Sequence, residues 1–359
     1  MATKNIKQLT PNPAPALTDL IEVDDGAGSS FSETVQDIIK NVRPSVFTFH
    51  FTGTLPTSFP PVIQIDCTGG QADIMGLSGD TAITPFSGVC TQTSFYFSDT
   101  TSRLTSLTFD NLAGIMGASG FSPTNLASVT SMSFPSLSFC GGNFAPQSMA
   151  SLTTLSLPIL AYVGGTFSQN TMAALTALSL PELAYVGGTF SPNTAANLAT
   201  LSMPNLVYVG TLQLFNLASL TSFSAPNLVY YAPNGLGSIA ASMASLTTFS
   251  TPATRIISGS GSFTMNSGLG NLTTVTLGTV GVLKVVSVGI INISGQKLDQ
   301  ASVNGILALL VSLDGTGGTT LWGAGKTVNI SGGTSAAPSG QGIIDKATLV
   351  ARSATVTTN

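Results

Sequence analysis

From Leu152 to Tyr230 the apolar and polar positions repeat one phrase: LTTLSLPILAYVGG, LTALSLPELAYVGG, LATLSMPNLVYVG, LTSFSAPNLVYY. Apolar residues stand six, three and one positions before a proline, and two and five after it. One coil supplies Leu152, Leu155, Leu157, Leu160 and Val163; the next supplies Leu175, Leu178, Leu180, Leu183 and Val186. Pro135, Pro158, Pro181, Pro204 and Pro226 are separated by 23, 23, 23 and 22 residues. A fixed period of this length is the signature of a solenoid, each repeat being one coil stacked on the next. Five apolar side chains cannot offset the entropy of ordering a whole coil, so stacking is obligatory. Less regular coils flank the clean ones, at Leu104, Ser131, Leu246 and Leu272.

The pattern therefore predicts a mainly β fold, a leucine-rich-repeat β-solenoid of 23-residue coils over residues 103–288. Before it, residues 46–102 are β-rich (FTFHFTG, PPVIQIDC, SFYFSD) and broken by Pro56, Pro60, Pro61 and Pro85. Prolines of this kind belong at strand edges and turns, and the segment is expected to cap the array. After it, residues 289–359 abandon the repeat. Leu298–Leu313 reads as a helix capped by Asp299 and ended by Asp314-Gly315; a strand KTVNIS, a helix around Ile343–Ala351 and a last strand ATVTTN follow. This is expected to be a small α/β module closing the array. Residues 1–45 form a fourth unit, with a strand-like DLIEVDD and a GAGSS turn. Ser30 and Glu33 have capping-box spacing, and Phe31, Val35, Ile38, Ile39 and Val42 then share one face of an expected helix.

Charge sharpens this division. Charged residues are 7% of the chain, against about 25% in an ordinary globular protein. Ten of the 26 lie before Ser45, and between Asn111 and Thr254 there is one, Glu182. A surface of Ser, Thr, Asn, Gly and Tyr has no cationic cluster with which to hold nucleic acid, so that partner is excluded. Met1–Thr18 lacks an apolar signal core, and Val303–Leu313 is too short to cross a bilayer. A soluble product of the cytoplasm is expected, with no membrane insertion.

Catalytic chemistry finds little to use, and no catalytic residue, cofactor or metal site is expected. Cys67, Cys90 and Cys140 are odd in number and widely spaced, which suits neither a disulfide framework nor a metal site. The one histidine, His50, sits in the alternating run VFTFHFTG as a strand residue. Gly323–Thr327 imitates a phosphate loop, but Thr320 stands where glycine is needed and a β-favouring run follows Lys326.

Candidate surfaces are clearer. Tyr162, Tyr185, Tyr208 and Tyr230 each lie four residues after a repeat proline and should stack in a column, either as a ligand platform or as a structural ladder. Ser156, Ser179 and Ser202, with Ser224, stand two before the prolines. Alternation turns them away from the leucines, together with Thr154, Ala177, Thr200 and Ser222, into an uncharged hydroxyl face suited to polysaccharide or simply to solvent. Asp19, Glu22, Asp24 and Asp25 lack the spacing of a calcium loop and suit a partner-facing, anchoring edge.

The phrase LxxLxLPxLxxVGxxxF, carried by Leu152, Leu155, Leu157, Pro158, Leu160, Val163, Gly164 and Phe167, resembles the bacterial surface leucine-rich repeats called BspA-like. The resemblance covers about half the chain, departs by one residue after the proline, and lacks the cysteine many such repeats carry. It implies adhesion or recognition, not catalysis. The stretch from Ser294 to Asn359 looks like modules that end phage tail-fibre and related repeat proteins, and ALTDLIEVDDGAGSSFSETVQDII is similar to virion-anchoring N-termini of phage fibres.

These resemblances imply a non-enzymatic virion component, a tail or head fibre or receptor-binding protein, assembled in the host cytoplasm and acting outside it. Its implied partners are other virion proteins and a host surface glycan or protein, and it is expected to be a homo-oligomer, as a trimer. A bacterial cell-surface adhesin is one alternative. The other is a glycan depolymerase, for which paired carboxylates would have to come from Asp66, Asp73, Asp80, Asp99 or Asp110 in the cap.

Overall fold

The computed structural model describes residues 106–359, apart from 110, 117–119, 124–125, 234–239, 260–261 and 266–268. Before residue 106 it describes the backbone of eight strands. The repeat winds short parallel strands around an apolar interior, and each clean coil contributes to three faces.

The first face is built from the TLS-type strands that precede each proline: Ser106–Thr108, Ser131–Ser133 and Thr154–Ser156, then Ala177–Ser179 and Thr200–Ser202, then Ser222–Ser224, Thr248–Ser250 and Thr274–Thr276. These form three parallel ladders rather than one, interrupted after Ser156 and after Ser202. The second face follows the proline and is unbroken. Nine strands lie in line from Ser87–Cys90 to Val285–Val286, pairing Phe139 with Tyr162, Tyr162 with Tyr185, Tyr185 with Tyr208, and Tyr208 with Tyr230. The third face links Phe121, Phe144 and Phe167 by single bridges and pairs Phe167–Ser168 with Phe190–Ser191.

All five apolar columns expected from the sequence point inward. Leu152, Leu160, Val163, Leu175, Leu183 and Val186 are fully buried, and Leu155, Leu157, Leu178 and Leu180 nearly so. Two further columns complete the core. Phe121, Phe144, Phe167 and Phe190 stack through the interior at centroid distances of 5.2, 5.4 and 5.3 Å. Met149, Met172, Ala195, Leu217 and Met243 fill the last corner.

That corner is strained. The residue before each of these five, Ser148, Thr171, Thr194, Asn216 and Ser242, takes a left-handed backbone with φ between 56° and 63°. Such a conformation is uncommon outside glycine and asparagine, and for β-branched threonine it is an outlier. The stack over-determines it: the N–H of Thr171 donates to Thr194 Oγ1 at 2.8 Å, one coil on.

The parallel ladders extend further toward the N-terminus than residue 103. Val46–His50, Gln71–Met75, Ser94–Phe97 and Gly120–Phe121 form one parallel sheet in register, and Ala82–Ile83 pairs with Ser106–Thr108. His50 is a strand residue, opposite Met75. The β-rich segment thus shares the solenoid's own ladders.

One expectation is corrected. Ser30–Thr34 is a strand, paired antiparallel with Leu20–Asp24 over five residues, so the Ser30/Glu33 capping box does not open a helix. A capping signal of this kind is worth about 1 kcal/mol. A five-residue antiparallel ladder outweighs it. The remainder of that expected helix, 35–45, lies outside the described residues.

The C-terminal module matches its expected elements: helix α1 (Gln300–Val311), the strand Thr327–Asn329, helix α2 (Gln341–Ala351) and the strand Thr355–Thr357. Asp299 caps α1 by accepting the Ser302 N–H at 2.7 Å. The two strands extend a solenoid sheet in the order Ser262–Thr264, Ile290–Asn292, Thr327–Asn329, Thr355–Thr357. Helix α1 replaces the next first-face strand, since the buried Ser302 hydroxyl accepts the N–H of Val275 at 2.9 Å. The last coil thereby finds a partner for backbone that would otherwise be orphaned. Among the described residues, no helix is long and apolar enough to cross a membrane.

Candidate recognition surface

The four tyrosines form one column on the second face. Their ring centroids are 4.9, 4.7 and 4.6 Å apart from Tyr162 through Tyr185 and Tyr208 to Tyr230, and successive planes differ by 5°, 11° and 6°. The register of the parallel strands places them there, because equivalent residues of stacked coils sit one strand spacing apart. At this distance each ring covers its neighbour's face. The column therefore offers a ligand ring edges and a row of hydroxyls, rather than the open faces a stacking platform needs.

Two residues after each of the first three tyrosines lies a glycine that lets the coils close up. A Cβ on Gly187 would meet the Gly164 carbonyl oxygen at 2.2 Å, and one on Gly210 the Gly187 oxygen at the same distance. Phenol ionisation in the column is disfavoured at its middle. The Tyr208 hydroxyl is held above its ordinary value, first by burial and then by the phenols of Tyr230 and Tyr185.

The serines occupy a different face. Ser179 and Ser202 are exposed and paired, while Ser156 is half-buried in the preceding ladder and Ser224 is exposed in the following one. All turn away from the leucines as expected, with Thr154, Ala177, Thr200 and Ser222 exposed beside them. The proline turn separates them from the tyrosines, so the structure does not bring the two candidate sets together. Of the acidic candidates, Asp19 and Asp25 lie outside the described residues. For Glu22 and Asp24 only the backbone is described, in strand Leu20–Asp24, opposite Ser32 and Ser30.

Lys326 answers the phosphate-loop motif. Its amine donates to the carbonyls of Ser287 at 3.2 Å and Val288 at 2.9 Å, lies 5.4 Å from the Trp322 ring, and is followed by a strand. Burial lowers its pKa. It is tied into the coil, not held out to a phosphate.

A shallow groove of about 590 Å³ runs along the turn between the first two faces, beside the tyrosines. Its outer wall carries Glu182, Asn205 and Asn227, each one residue after a proline, and its floor carries Ala184, Val207, Val229 and Arg255, each three after. Asn205 and Asn227 donate to the carbonyls of Pro181 and Pro204 at 2.9 and 2.8 Å. The phrase PNLVY, repeated in successive coils, is the signal that would have located it.

Compared with protein-family models, with curated proteins and with solved structures, the chain matches none.

Proposed function

We propose that this chain is a non-enzymatic recognition protein of a virus particle, a phage tail or head fibre or receptor-binding adhesin. The observation that carries the reading is the solenoid's outer surface. It is a long, regular array with a single charge between Asn111 and Thr254, bordered by a tyrosine column and an amide-walled groove. Solenoids present extended lateral surfaces of this sort for binding.

Of the carboxylates a depolymerase would need, Asp66, Asp80, Asp99 and Asp110 lie outside the described residues and Asp73 is described by its backbone alone, in strand Gln71–Met75; those described with their side chains serve structural roles. Asp299 caps α1, Asp314 organises its own turn by accepting from Thr316 and Thr319, and the buried Asp345 accepts from Gln341. Glu182 stands alone in its stretch of sequence. The charge-rich residues 1–45, with Asp19, Glu22, Asp24 and Asp25, serve in this reading to dock the chain on the particle, as a homo-oligomer. The surface reading favours host glycan or protein as the distal partner.

The test is to purify particles from cells producing either the full chain or a chain lacking residues 1–45. The full chain should co-purify with particles that adsorb to host cells. The truncated chain should stay folded and be missing from them. Full incorporation of the truncated chain would move attachment to the C-terminal module, and absence of the full chain from any particle would favour a cell-surface adhesin.

A further inference from the structure

The groove has ends of opposite charge. Glu182 lines one end and Arg255 the other, with three coil steps between them. At a strand spacing of about 4.8 Å this separates them by about 14 Å. Arg255 is not alone. The Lys284 N–H donates to the Arg255 carbonyl at 2.8 Å, and the register that pairs Ile256 with Val285 sets Lys284 in the same column on the next coil. In the preceding coils that column holds Ala161, Ala184, Val207 and Val229. Neither cation has a carboxylate partner among the described residues. Two like charges in one column on adjacent coils repel, and an anion seated between them relieves that repulsion.

The groove floor is closed to a peptide strand. Each backbone N–H along it already serves the previous coil: Val207 donates to Ala184, Val229 to Val207 and Arg255 to Val229, at 2.8 to 2.9 Å. No free ladder remains for an added strand, the usual source of affinity for extended peptides. What the groove does present is side-chain chemistry. Apolar Val207 and Val229 line it together with Asn205 and Asn227, whose amide nitrogens serve the carbonyls of Pro181 and Pro204 and whose amide oxygens can accept from hydroxyls.

We propose that this groove binds a segment of polysaccharide whose carboxylate seats between Arg255 and Lys284, with an uncharged sugar at the Glu182 end. The ligand is a sparsely acidic glycan. A neutral chain leaves the cations unpaired, and a carboxylate on every sugar places one against Glu182. The inference rests on the recognition reading above and names its ligand class.

The experiment is calorimetric titration of the full chain with three forms of one oligosaccharide: oligogalacturonate fully ionised, partly methyl-esterified and fully methyl-esterified. The partly esterified form should bind best, and the full ester about tenfold more weakly, the loss of roughly one charge-assisted contact. Arg255→Ala with Lys284→Ala should abolish that difference, and Glu182→Gln should raise the affinity of the fully ionised form. None of the three residues is buried, so unchanged thermal melts will show the variants folded. Equal binding of ionised and esterified forms overturns the anion seat, and so does silence from the variants. Binding of an Asp/Ser peptide in place of every oligosaccharide overturns the glycan assignment, and binding of nothing at all overturns the proposal. Each of these leaves the recognition reading to its own test, incorporation into particles that adsorb to cells.

Discussion

The rings of Tyr185 and Tyr208 lie 4.7 Å apart and within 11° of parallel, and Tyr208 is stacked again on Tyr230 at 4.6 Å. Each contact of this kind is worth about 0.5–1.5 kcal/mol beyond buried area. Tyr208→Ala should therefore cost about 1–3 kcal/mol from two lost contacts, while Tyr208→Phe keeps both rings engaged and should cost little. Urea unfolding of the two variants separates a ladder that holds the solenoid together from one that only decorates it. Equal stability of the alanine variant and the parent would reduce the column to decoration.

The same phenols set an alkaline limit. Tyr208 is raised above the ordinary 10.0 by burial and then by its neighbours, and burial raises the fully enclosed Tyr231 much further. For a group whose folded pKa is raised, the native state holds its proton more tightly than the unfolded chain does. The associated stability is fully present below pH 10 and falls as pH rises above it. Melting temperature should be insensitive to these groups near neutrality and drop steeply above pH 10. Tyr231→Phe should remove most of that slope, and a slope that survives in this variant would point to another group.

Glycine 187 is held to its identity by backbone rather than by a turn. A methyl group there would sit 2.2 Å from the Gly164 carbonyl oxygen and 3.1 Å from its carbon. Neither can give way without separating two coils. Gly187→Ala should destabilise by about 1–3 kcal/mol or more. Gly305→Ala, at a helical position with nothing near the added Cβ, should instead be neutral or stabilising. Paired thermal melts provide the comparison, and equal effects would refute the close approach of the coils.

How far the sequence foretold this molecule depends on the range of each signal. The inward positions of Leu152, Leu155, Leu157, Leu160 and Val163 follow from periodicity, because stacking gives equivalent residues equivalent neighbours. Asp299 and α1 were equally legible, since a cap and an apolar run are local. The Phe144–Phe167–Phe190 column was visible only as one letter of the phrase, and its inward turn depends on where the strand bends. The left-handed backbone at Thr171 and Thr194 carried no signal, because threonine ordinarily argues against it and the stack imposes it. At Ser30 a local helix signal lost to strand pairing. The groove joins Glu182 to Arg255, which are 73 residues apart in sequence; only the coil count, including two coils of irregular length, brings them onto one line.

The last prediction concerns an amide out of place. Gln169 is fully buried, and neither its side-chain nitrogen nor its oxygen has a hydrogen-bond partner. The parallel register sets it in a column with Pro146, Pro192 and Leu214, all buried, so it is the one polar member among apolar neighbours. An unsatisfied buried polar group costs about 1–3 kcal/mol, whereas an apolar side chain of similar shape carries no such penalty. Gln169→Leu should accordingly raise stability by about 1–3 kcal/mol and leave the circular dichroism spectrum unchanged. Gln169→Glu, which keeps the shape and adds a charge, should instead lower it by several kcal/mol at neutral pH, because the carboxylate must either ionise without a partner or take up a proton. Unfolding of both variants in urea decides the matter. If leucine destabilises, the amide is serving a bound water or a neighbouring group, and its column is less dry than the packing implies.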